Sequence, residues 1–138
     1  MKVYRRHVRF EDVDAAGIVF FARYLNMCHE AMESFFSDVE GGYAALVMER
    51  KIGLPAVNVE VDYTAPLRYG DVVDIETDIT HIGNSSCTLR YRCYRAESRV
   101  QVAHIRHTCV VCELAGPSKI PIPSDVLAIL KQHFADGS

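Results

Sequence analysis

Segment 22–39 restricts the fold of this chain more than any other stretch, because its apolar residues recur at the spacing of an α-helix. They share one face of the predicted helix: Tyr24, Met27, Cys28, Ala31, Met32, Phe35 and Phe36. A helix with such a stripe must bury it against another element. The glycines of segment 40–42 are expected to end this helix, and a shorter helix is predicted at 43–51.

Strand patterns dominate the rest of the sequence. Segment 57–63 alternates apolar and polar residues without a break, which is typical of a half-buried strand. Further strands are predicted at 3–10, 72–82, 87–97 and 100–114, with a turn at 52–55 and a loop at 115–125. A last helix is predicted at 126–134, with Ser124 or Asp125 as its cap. This order indicates an α+β fold, in which a curved antiparallel sheet wraps one long helix.

Length and composition narrow the function classes. The 138 residues fit one domain, 1–138, with a sizeable core. The net charge of −3 lacks the basic excess that is typical of nucleic-acid-binding proteins. No apolar run approaches the roughly 20 residues that span a membrane, and the N-terminus lacks the apolar core of a signal peptide. We therefore expect a cytoplasmic protein that binds neither nucleic acid nor membrane.

The cysteines favour packing over metal or redox chemistry. There are five, an odd number, which favours free thiols in a reducing compartment. Cys109 and Cys112 form a C-x-x-C pair, but they fall on a predicted strand, where residues three apart point to opposite faces. We therefore expect these thiols to pack in the interior.

The acidic stretch before the helix is the first candidate for a functional site. A calcium loop would place Asp12, Asp14 and Gly17 at its positions 1, 3 and 6. Position 5 would then be Ala16 and position 12 would be Arg23, so the oxygen ligands that such a loop needs are missing. The stretch therefore does not predict a metal site.

Another chemistry follows from the position of Asp14, a short loop before a helix that begins near Phe21. The free N–H groups in the first turn of a helix can polarise a carbonyl group. A nearby carboxylate could then attack that carbonyl or activate water against it, which suits an activated acyl group such as a thioester. On the residues alone, a purely structural role for Asp14, as a helix cap or a loop hydrogen-bond acceptor, stays open.

Segment 12–24, DVDAAGIVFFARY, resembles the D-x-D-x-x-G-x-V-x-x-x-x-Y motif of the 4-hydroxybenzoyl-CoA thioesterase family, which has the hot-dog fold. The acids, glycine, valine and tyrosine all keep their spacing. The strand order through to segment 107–123 also resembles the family, so the likeness covers nearly the whole chain. Segment 24–36 is especially similar to the 1,4-dihydroxy-2-naphthoyl-CoA thioesterases of quinone biosynthesis. The resemblance implies a five-stranded antiparallel sheet around the long helix.

The resemblance also implies catalytic roles. Asp14 would be the catalytic acid, either as nucleophile or as general base, and the backbone N–H of Phe21 would polarise the thioester carbonyl. Gly17 keeps the family's glycine and is expected to allow a close backbone approach. Tyr24 keeps the family's tyrosine and is expected to contact substrate. A short-chain acyl branch carries a histidine where this chain has Phe21, which argues against that branch.

Further residues are assigned to the substrate by resemblance. Leu54 falls in a loop that borders the acyl pocket in relatives, and His29 has a helix position that can face this pocket. A basic run holds the phosphates of coenzyme A in the bacterial 4-hydroxybenzoyl enzyme. Here a turn replaces it, in which Ser85 and Ser86 could donate hydrogen bonds. The candidate substitutes for the missing charge are Arg68, Arg90 and Arg92.

The sequence therefore predicts an acyl-CoA thioesterase that releases coenzyme A and a free acid, with an aromatic acyl group such as hydroxybenzoyl or dihydroxynaphthoyl. No metal or redox cofactor is expected, and coenzyme A enters as part of the substrate. A lone sheet leaves bare edges, and the resemblance implies a homo-oligomer, a dimer of dimers. Two alternatives stay open: a short- or medium-chain aliphatic acyl-CoA thioesterase, and a non-catalytic module that binds acyl-CoA or acyl-carrier protein.

Overall fold

The computed structural model describes residues 1–135 and shows a five-stranded antiparallel sheet packed against one long helix. The last three residues of the predicted domain, 136–138, lie outside the described residues. The strands are β1 (Lys2–His7), β2 (Ile52–Gly53), β3 (Ala56–Tyr63), β4 (Val72–Ile82), β5 (Ser86–Arg95), β6 (Gln101–Val110), β7 (Cys112–Glu113) and β8 (Ser118–Lys119). The helices are α1 (Arg23–Phe35), α2 (Gly42–Met48) and α3 (Ser124–Gln132), with 3₁₀ turns at Phe10–Asp12 and Phe36–Asp38.

The main sheet has the strand order β1-β4-β5-β6-β3, and every neighbouring pair is antiparallel. The predicted α+β arrangement, with one long helix and a five-stranded antiparallel sheet, is confirmed. A second, small sheet has the order β2-β7-β8. Among residues 1–135, no helix is both long and apolar enough to cross a membrane.

The predicted apolar face of α1 is buried: Tyr24, Met27, Cys28, Ala31, Met32 and Phe35. It belongs to the same core cluster as fully buried strand residues such as Ile75 of β4 and Leu89 of β5. Burying one such aliphatic side chain stabilises the fold by roughly 2 kcal/mol. Because helix and sheet bury each other, the N-terminus of α1 is held in place beside the loop that follows β1.

The end of α1 differs from the prediction. The helix stops at Phe35 rather than at residue 39, because the chain tightens into a 3₁₀ turn in which Phe36 is also fully buried. The glycines act after this turn. Gly41 takes a φ of +78°, and a Cβ at this position would lie 2.5 Å from the Cβ of Ala45, so only glycine fits.

The prediction of one strand over 100–114 is wrong. β6 ends before Val111, whose N–H donates to the Ser85 C=O at 2.7 Å and turns the chain into the small sheet. Cys109 and Cys112 therefore lie on different strands, the first buried and the second half-buried. β2 and β8 occupy stretches predicted as turn and loop, since strands of two residues show no readable period.

The predicted caps of the last helix are also wrong. Pro123 is the N-cap of α3, and no side chain forms a cap hydrogen bond there. Ser124 is the first residue of the helix. Asp125 instead accepts hydrogen bonds from Arg50 at 2.6 and 3.1 Å. The two partners are 75 residues apart, so no local pattern could reveal the pair.

Candidate active site

The loop between β1 and α1 folds back on itself as a small hairpin. The Asp14 N–H donates to the Ile18 C=O at 3.0 Å, and the Gly17 N–H donates to the Asp14 C=O at 2.9 Å. Gly17 takes a φ of +76°, which glycine adopts without strain. Apart from Gly17 and its two chain neighbours, no described residue has an atom within 4 Å of the place where its Cβ would sit. The left-handed conformation of the turn therefore explains why a glycine stands at position 17. The close approach that the sequence predicted does not involve any other part of the same chain.

The hairpin is tied to the segment that precedes β4. The Val19 N–H donates to the Leu67 C=O at 2.9 Å, and the Tyr69 N–H donates to the Gly17 C=O at 3.1 Å. Leu67 is fully buried, so these bonds anchor the hairpin to the core. The loop consequently holds Asp14 in a defined place.

The carboxylate of Asp14 is exposed, and only one of its two oxygens accepts hydrogen bonds from its own loop. Its Oδ1 accepts the N–H groups of Ala16 at 2.8 Å and of Ile18 at 3.4 Å. Its Oδ2 accepts no hydrogen bond from residues 1–135. The loop hydrogen bond of the structural alternative is thus present, but it leaves one oxygen free to attack a carbonyl or to take a proton from water.

An unused N–H group lies at the start of α1, two residues before the first residue of the helix. The Arg23 N–H donates to the Phe20 C=O at 3.0 Å, which fixes the peptide group that ends in the Phe21 N–H. Because the C=O and N–H of a trans peptide point in opposite directions, the Phe21 N–H points away from the helix. It donates to no acceptor within the described part of the chain, so it is free to bind a substrate oxygen.

Asp12 has the opposite environment, with 0% of its surface exposed. Its carboxylate accepts hydrogen bonds from Arg6 at 2.6 and 3.2 Å, from Arg23 at 3.0 and 3.3 Å, and from the Arg9 N–H at 2.7 Å. Burial alone would raise the pKa of Asp12, but these hydrogen bonds outweigh it and hold the pKa at about 2. Asp12 is therefore a weak base whose charge serves the structure.

The ion-pair network extends from Asp12 into the helix. The Nε of Arg6 donates to Glu30 of α1 at 2.8 Å, and the Tyr4 hydroxyl donates to the same oxygen at 2.9 Å. These contacts connect β1, the loop and α1. The sequence did not reveal the partners of Asp12, because the tertiary fold alone brings residues of three elements together.

Two cavities lie between the edge strand β3 and α1 with the residues just before it, and we call the two together the α1–β3 groove. Leu25 and His29 are four residues apart in α1 and so share one side of the helix, and Phe21 lies two residues before the helix begins. The first cavity has a volume of about 300 Å³, and Phe21 and Tyr63 of β3 are among the residues that line it. A second cavity of about 160 Å³, at Leu25, His29 and Val59, lies farther along.

The structure separates the predicted substrate residues. Tyr24 lines the first cavity of the groove and His29 lines the second. Leu54 is buried in the core and lines neither cavity. Ser85 and Ser86 lie at the turn between β4 and β5, about 30 Å along β4 from the end of β1. Within one chain, the two serines therefore do not reach the loop that follows β1.

The three candidate arginines also differ. Arg90 donates to Asp78 at 2.9 and 2.6 Å, and Arg92 donates to the same carboxylate at 3.4 Å. Arg68 forms no ion pair within residues 1–135, and it lines a cavity of about 880 Å³ together with two further arginines. Its backbone pairs with Ile18 of the hairpin. Arg68 is therefore the candidate with an unpaired charge beside the loop of Asp14.

Comparison with known proteins identifies the family of this chain. Residues 8–130 match the family model of the thioesterase-like superfamily. A 1,4-dihydroxy-2-naphthoyl-CoA hydrolase of Synechococcus elongatus is 33% identical over 119 residues, which cover 86% of this chain and 88% of that protein. The crystal structure of a 1,4-dihydroxy-2-naphthoyl-CoA thioesterase from Synechocystis superposes with a TM-score of 0.84 at 30% identity, covering 94% of both chains.

A gentisyl-coenzyme A thioesterase superposes with a TM-score of 0.82 at 31% identity, covering 94% of this chain and 99% of that one. These structures confirm the hot-dog fold that the motif implied. The family match covers most of the sequence, including the loop of Asp14 and the whole of α1. The chain belongs to the thioesterase-like superfamily.

Proposed function

We propose that this chain hydrolyses the coenzyme A thioester of an aromatic acyl group to a free acid and coenzyme A. Two observations carry the proposal: one carboxylate oxygen of Asp14 is free of protein donors, and the N–H of Phe21, seven residues later and just before α1, is unused. One such N–H donor, aimed at the oxygen that becomes negative, is worth about 100- to 1,000-fold in rate. The aromatic acyl group is supported by the relatives, whose names specify dihydroxynaphthoyl and gentisyl thioesters.

Two routes fit this geometry. As a general base, Asp14 takes a proton from water while the oxygen of that water attacks the thioester carbon, and the C–S bond then breaks to release coenzyme A. As a nucleophile, Asp14 attacks the carbon itself, the C–S bond breaks to release coenzyme A, and water then hydrolyses the resulting mixed anhydride. A single turnover in ¹⁸O-labelled water tests the nucleophilic route, because label enters the Asp14 carboxylate only when water attacks the aspartyl carbon of the anhydride.

Thiol release from a panel of acyl-CoA esters tests the proposal. Asp14→Asn should lower kcat by about 100-fold or more, the scale of losing an acid–base group. Glu11→Gln is the matched control, because Glu11 is an exposed acid three residues away, and it should keep wild-type activity. Unchanged turnover in Asp14→Asn would refute the assigned role. Binding without cleavage would support a non-catalytic module, and a preference for aliphatic esters would support the other alternative.

The proposed reaction uses only groups of the chain, with no metal or redox cofactor, and coenzyme A enters as part of the substrate. Turnover after exhaustive treatment with a chelator should therefore equal that of untreated protein. The cytoplasmic location stays a prediction.

We also propose that Arg68 binds a phosphate of coenzyme A, because its charge is unpaired and its backbone adjoins the loop of Asp14. Arg68→Gln should raise KM for an acyl-CoA by about tenfold, the scale of one charge-assisted hydrogen bond. It should leave KM unchanged for the matching acyl-pantetheine, which has no phosphate. Equal effects on both substrates would contradict this role. Ser85 and Ser86 stay predictions, and they require a second copy of the chain.

The edge strand β3 supports the predicted homo-oligomer. It is exposed along nearly its whole length, including Val57, Val59 and Tyr63, and it leaves one row of backbone groups unpaired. Antiparallel pairing of β3 with its copy would close this edge with two-fold symmetry. Light scattering should give a dimer or a dimer of dimers. Val59→Lys should release monomers, whereas Val3→Lys on the opposite edge strand, β1, should not.

A further inference from the structure

The second cavity of the α1–β3 groove combines apolar side chains with two polar ones. The exposed lining is almost wholly apolar, with surface from Leu25, Val59 and Ile105, and Tyr91 of β5 and His107 of β6 line the cavity as well. Tyr91 is only 1% exposed. A buried tyrosine normally has its hydroxyl fully engaged in hydrogen bonds, so its partners decide what this cavity can bind.

Tyr91 belongs to a short chain of hydrogen bonds. Its hydroxyl is 3.1 Å from Nδ1 of His107, and Nε2 of His107 is 3.2 Å from the Sγ of Cys109. Burial, and next the charge of His29, lower the pKa of His107, so its ring is neutral near pH 7. Both ring nitrogens are then occupied. A tyrosine hydroxyl can both donate and accept, and one of these capacities is left over at Tyr91.

The distance from the proposed oxyanion site suits an acyl group. Phe21 lies two residues before α1, and Leu25 and His29 are the third and seventh residues of this helix, so the cavity that they line begins only a few residues beyond Phe21. The cavity of about 160 Å³ matches the roughly 150 Å³ of an apolar cavity that holds benzene. One aromatic ring therefore fits.

We propose that this cavity holds one ring of the aromatic acyl group, and that the Tyr91 hydroxyl, oriented by His107, forms a hydrogen bond with a hydroxyl group on that ring. The inference rests on the proposed function, because it places the thioester carbonyl at the Phe21 N–H. Tyr91 then determines specificity. A ring without a hydroxyl leaves a buried polar group unpaired, and such sites reject the analogue strongly.

The test compares kcat/KM for benzoyl-CoA with kcat/KM for the 3- and 4-hydroxybenzoyl-CoA isomers. Wild type should prefer at least one hydroxylated ester by about tenfold or more, and Tyr91→Phe should remove this preference. Tyr94→Phe is the matched control, because Tyr94 lies three residues along the same strand and so points to the other face of the sheet. It should keep the preference. Thermal unfolding shows whether each variant is folded.

A second variant covers the case in which Tyr91→Phe does not fold. Leu25 is 43% exposed, so Leu25→Trp can fold while it fills the cavity. It should lower kcat/KM for benzoyl and hydroxybenzoyl esters alike by about tenfold or more, mainly through KM. Unchanged kinetics in this variant would overturn the assignment of the cavity.

The failure of each proposal gives a different result. If wild type cleaves no coenzyme A thioester, the proposed function fails and the role of the cavity fails with it. If wild type cleaves aromatic esters but folded Tyr91→Phe keeps the full preference for the hydroxylated ester, only the assignment of Tyr91 fails.

Discussion

Asp12 and Asp14 stand two residues apart in one loop, and the fold places them in opposite environments. Asp12 is fully buried and accepts hydrogen bonds from two arginines and a backbone N–H. Asp14 is exposed and keeps one oxygen free of protein donors within residues 1–135. The difference shows how one loop can hold a reactive carboxylate in place. The buried ion pairs of Asp12 stabilise the loop, so Asp14 can keep an oxygen free for chemistry.

The hydrogen bonds of Asp12 also reach the start of α1, next to the peptide that carries the Phe21 N–H. Arg23 donates to Asp12 through its side chain, and its backbone N–H fixes the peptide that ends in the Phe21 N–H. Asp12 is therefore connected both to the loop that carries Asp14 and to the start of α1. Loss of Asp12 should disturb both groups at once, whereas loss of Asp14 should remove only the chemistry.

The largest expected effect on stability is that of Asp12→Asn. The substitution leaves the buried Arg6 with only the half-buried Glu30 as an acidic partner. Breaking a buried ion pair in this way costs about 3 to 5 kcal/mol in the free energy of unfolding, which urea denaturation measures. Asp14→Asn should change this free energy by no more than about 0.5 kcal/mol. Similar losses in both variants would show that the two aspartates do not divide structure and chemistry.

Acid should reduce the difference in stability between wild type and Asp12→Asn. Asp12 has a pKa of about 2 in the folded chain against an ordinary value of 3.8, so its contribution to stability is present above pH 3.8 and is lost as the pH falls through about 2. The contribution amounts to about 2 kcal/mol. Urea unfolding from pH 5 downward should therefore show the gap between wild type and Asp12→Asn narrowing by about this amount. Parallel pH profiles would mean that the carboxylate is not held in its charged form.

The sequence could predict the features whose pattern lies within a few neighbouring residues, and it could not predict contacts between residues far apart in the chain. The stripe of α1 and the alternation of β3 repeat within a few residues, so period alone located both elements. The motif around Asp14 and Phe21 is also local. Tyr91 and His107, by contrast, lie on two strands and 16 residues apart, and only the register of β5 and β6 makes them neighbours. The partners of Asp12 were missed for the same reason.

The smallest effect should come from the turn beside Asp14. Gly17→Ala forces a side chain into the left-handed region, which costs about 1 to 2 kcal/mol even though the surrounding space is open. Gly17→Asn should cost less, because asparagine tolerates this conformation. Gly116→Ala is the matched control, since Gly116 has equally open space and no left-handed φ, and it should stay within about 0.5 kcal/mol of wild type.

The same turn gives Asp14 its two N–H donors, so kcat should fall in Gly17→Ala and recover partly in Gly17→Asn, while Gly116→Ala keeps wild-type turnover. Urea unfolding and thiol release on the three variants measure both effects. If Gly17→Ala were no less stable than Gly116→Ala but still lost activity, the left-handed φ would not explain the glycine. The predicted close approach would then require a group outside the single chain, and the bound substrate is the first candidate.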